Sequence, residues 1–121
     1  MNVLIIGRGR VGNGLARALR KSAGIELRSV GRTIPASAVR RADTIVLAVS
    51  DDAIEEVAEC IAPHVGPKAA VVHCAGARSV DELRACASRG VAVGVMHPLV
   101  SFPSTRSHPS LRGTSFTVSG D

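Results

Sequence analysis

Three glycines near the N-terminus are spaced for chemistry. Gly7-Arg8-Gly9-Arg10-Val11-Gly12 follows the apolar run Val3-Leu4-Ile5-Ile6, and Asn13–Arg20 behind it reads as a helix. In that context each glycine has its own task. Gly7 permits a tight turn off the strand, Gly9 removes the side chain that would block a pyrophosphate, and Gly12 lets helix and strand pack closely. The helix N-terminus then offers free N–H groups and a positive dipole end to an anion. Gly7, Arg8, Gly9, Arg10, Val11 and Gly12 are thus the expected cofactor-binding turn for a dinucleotide. The same glycines could merely shape a βα turn. Their place between the first strand and the first helix, with further βα units downstream, favours the ligand.

A second signal follows the second apolar segment. An NAD-preferring site places an acid there for the ribose hydroxyls, but this chain has Ser29-Val30-Gly31-Arg32-Thr33. Glu26 is at the wrong end of that strand. Arg32 is placed to meet a 2′-phosphate, which makes NADP the expected cofactor rather than NAD. One charge-assisted hydrogen bond is worth roughly 1.5–3 kcal/mol. That corresponds to roughly 10- to 100-fold of discrimination.

The remaining reactive side chains carry weaker signals. Asp51 and Asp52 are adjacent, and adjacent carboxylates on a turn rarely converge on one atom. Capping the next helix, from Asp51 or Ser50, is the simpler role. His73, Cys74 and His97 fall at the ends of neighbouring apolar runs. A Cys/His nucleophilic pair is conceivable, but no acid stands ready to orient it. Imidazoles bonded to loop backbone are the plainer expectation. No Cys/His spacing suggests a metal. No catalytic residue is identified from the sequence.

Positioning these groups requires alternating strands and helices. Strands are expected at Asn2–Ile6, Ile25–Val30, Thr44–Val49, Ala69–His73 and Val91–Met96. Helices are expected at Val11–Lys21, Pro35–Arg41, Asp52–Ala62 and from a Ser79/Glu82 capping box to Ser88. His97-Pro98 should stop the fifth strand, because proline cannot donate to the ladder. Ser101–Arg112 reads as a loop over the crevice, and Gly113–Ser119 as a final short strand. The expected architecture is α/β and doubly wound: a mostly parallel sheet, helices on both faces, core strand order 2-1-3-4-5. The segment before Thr44 is too short for another strand. The ligand crevice then lies between strands one and three.

Composition agrees with one such domain. The chain has 121 residues, 45% of them apolar, with three cysteines and a net charge of +5. Positive charge raises nucleic acid as a partner. With no Trp or Tyr, only two Phe and dispersed arginines, no stacking platform for bases is expected. No apolar run reaches membrane length, and no signal peptide precedes the first strand. The expected compartment is the cytoplasm, with no nucleic-acid or membrane partner.

Taken together, several motifs resemble one family. They are the glycine motif, Ala48-Val49-Ser50-Asp51-Asp52-Ala53-Ile54, Val72-His73-Cys74-Ala75-Gly76, His97-Pro98-Leu99 with Phe102, and Gly113-Thr114-Ser115-Phe116. The family is the Rossmann-like NADP-binding domain of DUF2520-type oxidoreductases. Its relatives are pyrroline-5-carboxylate reductase, 6-phosphogluconate dehydrogenase and coenzyme F420-dependent NADP oxidoreductases. The resemblance implies hydride transfer between a nicotinamide and a small carbonyl, imine or alcohol. It places the glycine turn at the pyrophosphate, Arg32 at the 2′-phosphate, and Ser50 with Asp51 on the nicotinamide-ribose side. The His73 and His97 motifs would line the cleft. It also implies a C-terminal helical domain that forms a homodimer and completes the substrate pocket. The chain stops before such a domain, so a complete active site is not expected from these residues alone. The alternative is a non-catalytic module that binds a dinucleotide or a partner protein.

Overall fold

The computed structural model describes residues 1–75, 78–98 and 116–120, with side chains described as far as Met96. Six strands form one sheet in the order β2-β1-β3-β4-β5-β6. They are β1 (Asn2–Ile6), β2 (Glu26–Val30), β3 (Thr44–Leu47), β4 (Ala70–His73), β5 (Ala92–Pro98) and β6 (Phe116–Gly120). The first five run parallel, and β6 is antiparallel to β5 at the edge. The expected 2-1-3-4-5 core of a Rossmann-like sheet is therefore present.

Both faces of the sheet are covered, as the apolar strands require. The helices are α1 (Arg10–Arg20), α2 (Ala36–Arg41), α3 (Ile54–Ile61) and α4 (Arg84–Ala87). On one face Val3, Ile5 and Val46 pack with Leu15 and Ala16 of α1. On the other, Leu4, Ile6, Ile45, Leu47 and Val71 pack with α2, α3 and α4. Alternate residues of each strand go to opposite faces, so one strand feeds both cores.

Several boundaries differ from the sequence expectation. The segment after β3 opens as a 3-10 turn, Asp51–Ala53, before α3 begins. Neither Ser50 nor Asp51 caps it with a side chain; the Ala53 N–H instead donates to the Ser50 carbonyl at 2.9 Å. The capping box at Ser79 is half made. Ser79 Oγ accepts from the Asp81 N–H at 3.0 Å, while the Glu82 carboxylate pairs with Arg78. Strand β5 does not stop before His97-Pro98. It continues through both, with Pro98 opposite Phe116. Pro98 ends the strand, where a missing donor costs least. The final strand is described over Phe116–Gly120, one residue past the expected Ser119, while Gly113–Ser115 of the expectation lie outside the described residues. The crevice loop, Ser101–Arg112, lies outside the described residues, as do Gly76, Leu99, Phe102 and the side chains of His97 and Phe116.

Candidate functional site

A cleft of about 780 Å³ opens at the carboxyl ends of β1, β2 and β3. Its floor is the glycine turn: Ile6, Gly7, Arg8 and Gly9. The β2 side supplies Gly31, Arg32 and Ile34. The β3–α3 side supplies Ala48, Val49, Ser50, Ala53, Glu56, Val57 and Cys60. This is the end of the sheet, at the switch between β1 and β3, where open α/β folds bind ligands.

The three glycines do different work. Gly7 has φ +121°, a conformation costly for other residues, and its Cβ would strike the Ala48 carbonyl oxygen. Its N–H donates to the Val30 carbonyl at 2.9 Å, which extends the β1–β2 pairing into the turn. A Cβ at Gly12 would strike the Gly7 carbonyl oxygen. Both are glycines because the chain packs against itself there. Gly9 is not. Its backbone is extended, at φ −79° and ψ −164°, and an added Cβ would meet nothing within 4 Å. Nothing in the described chain requires glycine at this position.

Gly9 also begins α1. The first helical bond runs from the Asn13 N–H to the Gly9 carbonyl at 2.9 Å. The Asn13 side chain donates to the Arg8 carbonyl at 2.7 Å and holds the turn. Among the described residues no side chain caps α1, and no acid stands in its first turn. The leading N–H groups of a helix lack internal acceptors. Those of Arg10, Val11 and Gly12 are accordingly open to solvent or to a ligand. None of these three residues lines the cleft; Gly12 is buried and Arg10 exposed.

The rest of the expected site divides. Arg32 is exposed on the cleft wall, and Ser50 lines the β3 side. Asp51 is exposed on the 3-10 turn and is not among the lining residues. Asp52, its neighbour, is bound by Arg78 at 2.7 Å, so the two carboxylates are not a matched acid/base pair. Sequence reasoning missed the apolar walls of Ile34, Val49 and Val57. Val57 has helical spacing from Ile54 and Ile61 and reads as core. The structure leaves it half-buried, facing both core and cleft.

The candidate nucleophiles are accounted for structurally. His73 is fully buried. Its Nδ1 accepts from the Ala75 N–H at 3.1 Å, which leaves Nε2 to donate to the Ser79 carbonyl at 2.8 Å. Both ring nitrogens are spent on backbone. The Cys74 thiol is pushed up to about 12 by burial, so it stays protonated at neutral pH. Burial also raises Cys86, with Arg89 opposing in part. Cys60 alone of the three is exposed. Among the described residues no group of His, Cys, Asp and Glu could hold a metal ion. No described helix is long and apolar enough to cross a membrane.

Comparison with known proteins places the fold. Neither a family model nor a curated protein matches the sequence. Solved structures do match. Synechocystis arogenate dehydrogenase is similar with a TM-score of 0.79 and 19% identity, over 100% of this chain and 50% of that one. Plasmodium falciparum pyrroline carboxylate reductase, solved with NADP bound, is similar at 0.77 and 20%, over 100% and 48%. Aquifex aeolicus prephenate dehydrogenase, solved with hydroxyphenyl propionate and NAD+, is similar at 0.70 and 17%, over 98% and 50%. At these identities the likeness is one of fold. The chain spans about half the length of each.

Proposed function

We propose that this chain is the NADP(H)-binding domain of an oxidoreductase of the DUF2520 type. One observation carries the reading. Gly9 is a glycine that neither its backbone conformation nor packing among the described residues demands, in a cleft beside a helix N-terminus that no described side chain caps. A pyrophosphate lying against the turn supplies the missing reason. The cleft fits the rest of the nucleotide. Arg10, Val11 and Gly12 would donate backbone N–H groups to the pyrophosphate. Ile34, Val49 and Val57 offer apolar walls to the adenine. Gly31-Arg32 replaces the acid of an NAD site and would receive the 2′-phosphate. Ser50 and Asp51 would lie toward the nicotinamide ribose.

The bound nicotinamide would supply hydride transfer with a small carbonyl, imine or alcohol. These residues bind and orient that group and shield one side of it. The similar dehydrogenase and reductase structures support this class, and their greater length makes substrate and turnover part of the proposal. A residue beyond the cleft described here would complete the chemistry, because His73 and Cys74 are committed to structure.

Gly9→Val tests the reading. Its side chain would enter open cleft, so stability should fall by no more than about 1 kcal/mol, the cost of a poorer N-cap. Binding of both NADPH and NADH should fall by more than about tenfold, because the branched side chain takes the pyrophosphate's place. Undiminished binding in a folded variant would remove the pyrophosphate from this turn.

A further inference from the structure

We propose that Arg8 is a second 2′-phosphate ligand, so that NADP is recognised by two arginines from two different loops. The proposal rests on the NADP reading above and adds a specificity residue to it. Arg8 sits inside the glycine turn, where a pyrophosphate contact is the first expectation. Its side chain goes elsewhere. Nη2 donates to the Ser29 carbonyl on β2 at 3.4 Å. Its Cδ, Nε and Cζ lie 3.6, 3.7 and 3.9 Å from where a Cβ on Gly31 would stand. The guanidinium therefore crosses from β1 to the end of β2 and lies over Gly31, the residue before Arg32. Arg8, Gly31 and Arg32 line the same cleft.

Charge and geometry agree. A phosphate monoester carries about −1.5 to −2 at neutral pH and three acceptor oxygens. One arginine leaves much of that charge unmatched. Among the described residues neither Arg8 nor Arg32 pairs with a carboxylate. Arg8 spends one long hydrogen bond on Ser29, and a guanidinium has five N–H donors. Gly31 gains a reason as well. It removes the acid that would repel a 2′-phosphate, and it leaves the surface on which Arg8 lies.

Adenosine 2′,5′-bisphosphate and 5′-AMP differ only in the 2′-phosphate. Calorimetric titration of the wild-type chain, Arg8→Ala and Arg32→Ala with both probes isolates that group. Wild type should prefer the bisphosphate. Each variant should lose that preference by about tenfold or more, while 5′-AMP affinity changes less than about twofold. Circular dichroism should show both variants folded. Equal weakening of both probes by Arg8→Ala would put Arg8 on the 5′-phosphate, and no change in either would remove it from the site. Either result overturns the proposal while leaving the Arg32 control intact. Failure of the wild type to bind either probe, or to distinguish them, would overturn the NADP reading itself.

Discussion

The glycines at 7, 9 and 12 look alike in the chain and separate only by what surrounds them. Gly7→Ala or Gly12→Ala forces a Cβ into backbone. Each should cost about 1–3 kcal/mol or more, measurable by urea denaturation, before any ligand is added. Gly9→Val should leave the fold and remove the ligand. The spacing made all three legible as a turn. It also gave each a task, but not the atoms that enforce it: the Ala48 carbonyl arriving from β3 against Gly7, and the Gly7 carbonyl against Gly12. The cysteines make a similar contrast. Iodoacetamide should modify Cys60 in the native chain and spare Cys74 and Cys86. NADPH in the cleft should slow that reaction, since Cys60 lines it. The Cys74 thiol also gives stability a pH dependence. Its folded value is raised from 9.0 to about 12, so the unfolded chain loses this proton first. That contribution is complete below about pH 9 and lost as pH rises toward 12. Cys74→Ala should flatten the alkaline arm of a melting-temperature profile.

At the scale of elements, the βα pattern was readable because buried parallel strands are short apolar runs and their helices are amphipathic. The expected strands β1 to β5 and the starts of α1 to α3 fall within two residues of those found, whereas the helix expected from the Ser79 box runs as a 3-10 turn, Val80–Leu83, before α4 begins at Arg84. What the pattern could not show was how the ends are finished. Pro98 stays in its strand because β6 pairs beside it, a partner distant in sequence. The Ser50-Asp51-Asp52 turn looked like side-chain capping and is a 3-10 turn closed by backbone. His73 carries a signal that period-two reading exposes. It shares a strand face with Val71, toward the core under α3 and α4, and not with Val72 on the α1 side. An inward histidine needs partners, and the backbone of Ala75 and Ser79 provides them. His73→Ala strands that N–H and that carbonyl. Both bonds are only part-buried, so water can reach part of what is lost, and the change should cost about 1–3 kcal/mol of stability, as chemical denaturation would show. The Arg78–Asp52 bridge, with the carboxylate 95% exposed, should contribute under about 1 kcal/mol.

For the whole molecule, the sheet, the switch-point cleft and a net charge of +5 act together. An anionic dinucleotide is drawn to such a surface, and salt should weaken the attraction. Binding to the folded chain alone adds about 2.7 kcal/mol at a hundredfold excess over Kd. The melting temperature should then rise by about 10 °C with NADPH and less with NADH at equal concentration. The measurement closest to the central claim is calorimetric titration of the wild-type chain with NADPH and NADH at two salt concentrations. Saturable binding at one site per chain, at least roughly tenfold tighter for NADPH, is the result predicted from the glycine turn and Arg32 at the end of β2. Binding of neither nucleotide, or tighter binding of NADH, would contradict it.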